Sequence, residues 1–152
     1  MNPLQDELAL RNLMACYVDA VNRRDANAWI ATWAEDGVWN LLGSPVSGRD
    51  NILALWQQMM GGFEFALMLP SSCLFTVDGD TASGHWYLHE YLRDTQGTAS
   101  TVLSRYLDTY VKQQGQWLFQ SRQYGFLYNG PADLSGSVEP YLSTDVSIQN
   151  VP

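Results

Sequence analysis

Residues 75–94, FTVDGDTASGHWYLHEYLRD, decide the fold. In this stretch Asp78-Gly79-Asp80 separates two segments in which apolar and polar residues alternate. An Asp-Gly pair between alternating segments is a strong signal for a β-hairpin, because glycine accepts the positive φ that tight turns need. The stretch therefore predicts two antiparallel strands, which extend over Phe63–Val77, with a break at Pro70, and over Thr81–Arg93.

The alternation continues toward the C terminus. It predicts a turn at Asp94–Thr98, a strand over Ala99–Lys112, a turn at Gln113–Gln116 and a last strand over Trp117–Tyr128. Strands joined by such short turns form an antiparallel meander. From Asn129 onward the sequence is rich in Gly, Ser and Pro, and we predict that residues 131–152 form an irregular tail on the surface or against a partner subunit.

The N-terminal part has the periodicity of helices. Apolar residues recur at three- and four-residue steps from Pro3 to Arg23, which predicts a long amphipathic helix. Asp25 is expected to cap a second, short helix, one face of which carries Trp29, Ile30 and Trp33.

A short strand and a third helix complete the predicted elements. Asp36-Gly37 is predicted to be a turn, Val38–Leu42 a strand, and Arg49–Met59 a helix with Ser47 or Asp50 as its N-cap. Helices that precede a run of strands indicate an α+β protein. We expect one domain over residues 1–130, in which a curved antiparallel sheet wraps around the long N-terminal helix and leaves a cavity.

Composition excludes several classes of partner. The net charge is -8, and the eight basic residues are scattered, so neither nucleic acid nor an anionic membrane is an expected partner. Hydrophobic residues make up 46% of the chain and charged residues only 16%, which indicates an apolar cavity or interface.

The chain shows neither a signal peptide nor an apolar run long enough to span a membrane, so a cytoplasmic location is expected. Cys16 and Cys73 lie in apolar-patterned segments and are expected to be small buried residues rather than a disulfide.

Several motifs occur in a fixed order along the chain. They are Tyr17-x-x-Ala20-x-Asn22-x-x-Asp25-x-x-Ala28-Trp29, Trp33-Ala34-Glu35-Asp36-Gly37-Val38-Trp39, Gly48-Arg49-Asp50-x-Ile52, Val77–Ala82 and Gly115-Gln116-Trp117. Together they resemble SnoaL-like proteins of the NTF2-like superfamily, over roughly residues 5–128. The resemblance implies a cystatin-like cone around a deep pocket, and activities of the dehydratase, dehydrochlorinase or cyclase kind.

The resemblance also implies a catalytic pair that this chain lacks. In the dehydratases and the dehydrochlorinase, an Asp near the end of the first helix partners a His on the first long strand. These positions fall on Asn22 and near Met68 in this sequence. Asparagine cannot balance an imidazolium and methionine cannot accept a proton, so the base and its counter-charge must be other residues. Asn22 can serve only as a hydrogen-bond donor to the substrate, together with Tyr17 and Tyr106.

Strand alternation supplies other candidates. If Ala82 and Gly84 face inward, as the family's pocket pattern implies, then Trp86, Leu88 and Glu90 do so as well. A carboxylate among apolar groups is costly unless it is paired, so Glu90 is either a proton-transfer group or half of a structural ion pair. Arg122, at a position where relatives carry a pocket arginine, is a candidate partner for Glu90 or for a substrate oxyanion.

The predicted site has two groups of residues. Its candidate catalytic residues are Glu90, Arg122, Tyr17 and Asn22, and its candidate substrate-binding residues are Trp39, Met68, Trp86, Leu88, Ser104, Tyr106, Tyr124 and Phe126. No metal or cofactor is expected, since His85 and His89 would lie about 13 Å apart along a strand. With Tyr87 and Tyr91 they are predicted to face outward and to form a homodimer interface.

Three functions remain open at this point. The first is an enzyme that carries out dehydratase, isomerase or cyclase chemistry by proton transfer on a hydrophobic, ring-containing metabolite. The second is a module that binds such a small hydrophobic molecule without reacting, and the third is a structural subunit like the β subunits of ring-hydroxylating oxygenases. An accessible Glu90 with a perturbed pKa favours the first, whereas a cone filled by side chains favours the third.

Overall fold

The computed structural model describes residues 2–136 and shows an α+β cone. The helices are α1 (Pro3–Arg23), α2 (Ala26–Ile30) and α3 (Arg49–Met60), and the strands are β1 (Trp33–Leu41), β2 (Ser44–Ser47), β3 (Phe63–Asp78), β4 (Thr81–Asp94), β5 (Ala99–Gln113) and β6 (Gln116–Gly130). The predicted tail, residues 131–152, lies outside the described residues apart from 131–136. No helix in the described part is long and apolar enough to cross a membrane.

The six strands form one curved sheet in the order β2-β1-β6-β5-β4-β3. The meander from β3 to β6 is antiparallel, as predicted. The expectation of a wholly antiparallel sheet is wrong at one pair, because β1 runs parallel to β6. The sheet is mixed because β1 lies beside the last strand of the meander, which is far from it in sequence.

Helix α1 begins and ends through local hydrogen bonds. The Asn2 side chain accepts a hydrogen bond from the Leu4 backbone N–H at 3.1 Å, and Pro3 occupies the first turn. Arg24 ends the helix in the left-handed conformation, at φ 56°. The buried face of α1, which includes Met14 and Tyr17, packs into the sheet and forms one wall of the cone.

The periodicity predicts that Trp33 lies on the second helix, but in the structure it is the first residue of β1. Helix α2 ends at Ile30, and the Thr32 carbonyl then accepts a hydrogen bond from Phe119 of β6. The ring centroids of Trp29 and Trp33 are 5.9 Å apart. Two side chains from different elements therefore share one buried cluster, and this produced the helix-like spacing.

Asp36-Gly37 is not a turn but lies inside β1, where the register with β6 shifts between Trp33 and Val38. A β-carbon on Gly37 would lie only 3.0 Å from the Ala34 carbonyl oxygen, so this irregular segment favours glycine. Strand β2 was not predicted, because four residues that include a proline carry too little pattern.

Two smaller predictions also differ. Neither Ser47 nor Asp50 caps α3, because Gly48, at φ 85°, is the N-cap and donates its N–H to the Gly37 carbonyl. Pro70 does not end β3 but precedes a register shift, which lies between Pro70 and Cys73.

Both cysteines are free, and the expectation that they are buried is wrong. Cys16 lies on the exposed side of α1, because the helix turns it away from the sheet. Cys73 is half-buried, and its Sγ accepts a hydrogen bond from the Arg11 guanidinium at 2.8 Å.

Candidate functional site

A cavity of about 260 Å³ lies between α1, α3 and the concave face of the sheet. Its walls are mainly aromatic and aliphatic side chains. Seven of the residues that the sequence pointed to line it: Tyr17, Trp39, Met68, Glu90, Tyr106, Tyr124 and Phe126. Among the described residues that line the cavity, Glu90 carries the only charged group.

The Glu90 carboxyl is held by two hydroxyl groups. Tyr124 donates its phenol proton to Glu90 Oε2 at 2.6 Å, and Ser104 donates to the same oxygen at 3.1 Å. The other oxygen, Oε1, accepts no hydrogen bond from any described residue. Glu90 is therefore fixed through one oxygen, and the second remains available to a ligand.

Burial raises the pKa of Glu90 above its ordinary value, and the hydrogen bonds from Tyr124 and Ser104 offset part of this rise. Burial, and after it the adjacent Glu90 carboxyl, also raises the pKa of Tyr124. The phenol therefore remains protonated and acts as a donor to Glu90. A carboxyl with a raised pKa in an apolar cavity can take or give a proton near neutral pH.

Arg122 does not contact Glu90, so the predicted ion pair between them is wrong. Its Nε and Nη2 atoms donate to the two oxygens of Asp108 at 2.8 and 3.0 Å, and Tyr110 donates its hydroxyl to the same carboxylate. Both charged side chains are fully buried. Burial opposes the positive charge of Arg122, but Asp108 more than offsets this and raises the pKa of the guanidinium.

Arg122 is also enclosed by aromatic rings. Its guanidinium carbon lies 3.8 Å from the ring centroid of Tyr106, 4.0 Å from that of Phe119 and 4.4 Å from that of Tyr17. Tyr17 and Tyr106 line the cavity, whereas Arg122 does not. The cation therefore lies behind the cavity wall and does not contact a ligand directly.

Asn22 and Met68, the two positions that replace the family's catalytic pair, are in direct contact. The Asn22 side-chain amide donates to the Met68 carbonyl at 3.0 Å and accepts from the Met68 N–H at 2.8 Å. Asn22 thus pairs with the edge strand β3 as a neighbouring strand would. It was predicted to be a catalytic donor, but both polar atoms of its amide are engaged by backbone.

We expect Asn22→Ala to lower the free energy of unfolding by about 1 to 3 kcal/mol, because the part-buried N–H and C=O of Met68 would lose their partner. Urea unfolding followed by tryptophan fluorescence measures the change. The exposed Asn27→Ala provides the control and is expected to stay within about 0.5 kcal/mol of the parent protein. Equal midpoints for parent and Asn22→Ala would contradict this role.

Comparison with protein families identifies the domain. The model of the SnoaL-like domain matches residues 2–123, which is most of the chain. The chain belongs to the SnoaL-like domain family. No curated protein matches it.

Solved structures share the fold of this SnoaL-like protein. A proposed aromatic ring hydroxylase from Novosphingobium aromaticivorans is 26% identical, with a TM-score of 0.78 over 84% of this chain and 93% of that chain. A proposed scytalone dehydratase from the same organism is 18% identical, with a TM-score of 0.80 over 92% of this chain and 96% of that chain. The hexachlorocyclohexane dehydrochlorinase LinA-type3 from Novosphingobium barchaimii is 17% identical, with a TM-score of 0.78 over 90% and 97%.

Three predicted ligand contacts of the SnoaL-like protein lie outside the cavity. Trp86 is buried against Phe75, with ring centroids 5.8 Å apart, and Leu88 is buried in the core. Ser104 does not line the cavity but positions Glu90. All three side chains face inward, as predicted. Alternation predicts which face of the sheet a side chain occupies, but it does not predict how far the cavity extends along the strand.

Parts of the site were not predicted from the sequence. The cavity wall contributed by α3 includes Trp56, Met59 and Met60, none of which is among the predicted site residues. Asp108, the partner of Arg122, is not among the predicted site residues either. An acidic and a basic residue at inward positions of adjacent strands is the signal that could have indicated this pair.

On the outer face of the sheet, His85, Tyr87 and His89 are half-buried and Tyr91 is exposed. A homodimer of the SnoaL-like protein through this face stays a prediction. Within residues 2–136, no group of three or more His, Cys, Asp or Glu side chains could hold a metal ion.

Proposed function

We propose that this SnoaL-like protein is an enzyme that binds a small, apolar, ring-containing metabolite and transfers a proton with Glu90, as a lyase or isomerase does. The observation that carries the proposal is the state of Glu90. It is the only charged group on the described cavity wall, it has no cationic partner there, and one of its oxygens is unbonded. A structural carboxylate would be paired in such surroundings.

The size and walls of the cavity support the class of substrate. An apolar cavity of roughly 150 Å³ holds one benzene molecule. A volume of about 260 Å³ therefore suits a substituted single ring or two fused rings. Trp39, Tyr106 and Phe126 supply aromatic surface against which such a ring can pack.

The chemistry that fits is proton abstraction beside a carbonyl group. Glu90 Oε1 takes the proton from the carbon next to the carbonyl. The electron pair of the C–H bond forms a C=C bond, and the π pair of the C=O group moves onto the oxygen to give an enolate. The enolate then regains a proton at another carbon, or expels a leaving group from the neighbouring carbon. The names of two fold relatives, a dehydratase and a hexachlorocyclohexane dehydrochlorinase, describe eliminations, in which a proton and a leaving group are lost.

A second candidate function is binding of the same ligand without reaction. It is favoured by the engagement of Asn22 with backbone and of Arg122 with Asp108, since neither of these predicted catalytic side chains is free to act. The third reading, a scaffold whose cone is filled by side chains, is not favoured, because the cavity is open.

Exchange of hydrogen for deuterium in β-tetralone, a two-ring ketone, tests the proposal. In D₂O, the protein is expected to accelerate exchange beside the carbonyl, with saturation as the ketone concentration rises. If tryptophan fluorescence showed binding but exchange were not accelerated, the enzyme proposal would be rejected in favour of binding without reaction. Absence of binding would reject both.

A cavity-filling substitution tests whether the exchange takes place at this site. Ala66 lines the cavity, so Ala66→Trp is expected to abolish both binding and exchange of β-tetralone by occupying its volume. The matched control is Ala99→Trp, because Ala99 is exposed and does not line the cavity. Exchange that survives in Ala66→Trp, in a variant shown by circular dichroism to be folded, would place the reaction elsewhere.

A further inference from the structure

The hydroxyl of Tyr106 has an unusual position in the cavity wall. Tyr106 is 2% exposed, and its oxygen accepts a hydrogen bond from the indole Nε1 of Trp39 at 3.0 Å. Since the indole can only donate, the phenol proton must point away from Trp39. No hydrogen bond of normal geometry joins this proton to a described residue; the Tyr17 hydroxyl, on the same cavity wall, is a neighbour that influences Tyr106 electrostatically.

Two neighbours strengthen Tyr106 as a donor. Donation from Trp39 polarises the phenol, because hydrogen bonds in a chain reinforce one another. The Arg122 guanidinium lies 3.8 Å from the centroid of the phenol ring, where its charge stabilises negative charge that develops on the oxygen. Burial and the adjacent Tyr17 raise the pKa of Tyr106, against the effect of Arg122, so the free phenol stays protonated.

We infer that Tyr106 donates its hydroxyl proton to an oxygen of the ligand, and that Trp39 and Arg122 act through it as positioning residues. The ligand class is thereby narrowed to ring compounds that carry a carbonyl or phenolic oxygen. The inference rests on the proposed function, since the oxygen on Tyr106 is the one that becomes negative when Glu90 removes a proton.

The arrangement of the two groups agrees with this role. Tyr124 contacts both of them: its ring centroid lies 5.1 Å from that of Tyr106, and its hydroxyl donates to Glu90 Oε2 at 2.6 Å. The donor and the base are therefore neighbours on one wall. When the C–H electron pair forms the C=C bond of the enolate, the π pair of the carbonyl moves onto its oxygen; Tyr106 then donates a hydrogen bond to that oxygen, and the proton from carbon lies on Glu90.

The test compares β-naphthol with naphthalene, which has the same rings but no oxygen. Binding is measured in the Glu90→Gln background, because a charged Glu90 would repel the naphtholate anion. The absorbance of bound β-naphthol reports its ionisation as the pH is varied. We expect ionisation to occur at lower pH in the protein than in water, because Tyr106 stabilises the anion.

Addition of Tyr106→Phe is expected to weaken naphtholate binding by about tenfold to a hundredfold, the range for one hydrogen bond to a charged group, and to leave naphthalene binding unchanged. Trp39→Phe is expected to move the ionisation of bound β-naphthol toward higher pH, as Tyr106→Phe does, but by a smaller amount. The control is Tyr128→Phe, since this buried phenol on β6 donates to the Pro131 carbonyl and does not line the cavity.

The outcomes separate the two proposals. If Tyr106→Phe weakened the binding of β-naphthol and of naphthalene equally, Tyr106 would only shape the cavity. This result would overturn the inference. A loss with Tyr17→Phe but none with Tyr106→Phe would assign the donor to Tyr17 and overturn it as well. Dependence of naphtholate binding on Tyr106, in a protein that does not accelerate exchange of β-tetralone, would support the oxygen site and reject the enzyme.

Discussion

Glu90→Gln is expected to slow the exchange of β-tetralone by about a hundredfold to ten-thousandfold, the usual contribution of one acid–base group. Glutamine keeps the shape of the side chain and can still accept hydrogen bonds from Tyr124 and Ser104, but it cannot take a proton. Binding of the ketone should therefore change little while exchange is lost. Exchange followed by NMR and binding followed by fluorescence measure the two effects.

The matched control is Glu35→Gln, which makes the same substitution at an exposed position outside the cavity. It should exchange β-tetralone at the parental rate. If Glu90→Gln retained that rate as well, Glu90 would not be the base.

The pH dependence of the parent follows from the raised pKa of Glu90. The carboxylate is the basic form, so exchange should increase as the pH rises through the raised pKa. The stability effect has the opposite sign. The contribution of Glu90 to stability is fully present below its ordinary pKa of 4.5 and is lost as the pH rises through the folded-state value. Glu90→Gln should therefore be more stable than the parent near neutral pH, with a difference that disappears in acid.

Asp108→Ala is expected to lower the free energy of unfolding by about 3 to 5 kcal/mol, because it leaves the Arg122 cation buried without its partner. Urea unfolding monitored by circular dichroism gives the value. The double variant Asp108→Ala with Arg122→Met should recover much of the loss, since it removes the buried charge together with its counter-charge.

A surface pair supplies the control for this second prediction. Asp19 and Arg23 form an ion pair on α1 with side chains 64% and 55% exposed, so Asp19→Ala should cost less than about 1 kcal/mol. If Asp108→Ala cost no more than Asp19→Ala, the buried pair would not contribute to stability as proposed.

Sequence alternation predicted the orientation of side chains well and their partners poorly. The pattern of β4 correctly turned Trp86, Leu88 and Glu90 inward, because the side chains of a strand alternate with a period of two. It could not supply the register between strands. Arg122 lies opposite Asp108, which pairs with Gly84, six residues or about 20 Å along β4 from Glu90. The predicted ion pair failed for this reason.

The helices show a related limit. The long period of α1 was sufficient to predict its bounds, because 21 residues give many repeats of one face. The five residues of α2 give hardly more than one turn, so Trp33 of the next strand was counted as part of its face. The cavity itself could not be predicted in detail, since its walls come from elements far apart in sequence, such as α3 and β6.

The pairing of Met68 with Glu90 across β3 and β4 has a consequence for regiochemistry. The candidate base lies directly beside the position where the family resemblance places a histidine, but on the next strand, about 4.8 Å away. A ring seated in the cavity meets Glu90 at a different carbon from the one that a base at position 68 would reach. Two proteins with this fold can therefore hold the same ring and deprotonate it at different atoms.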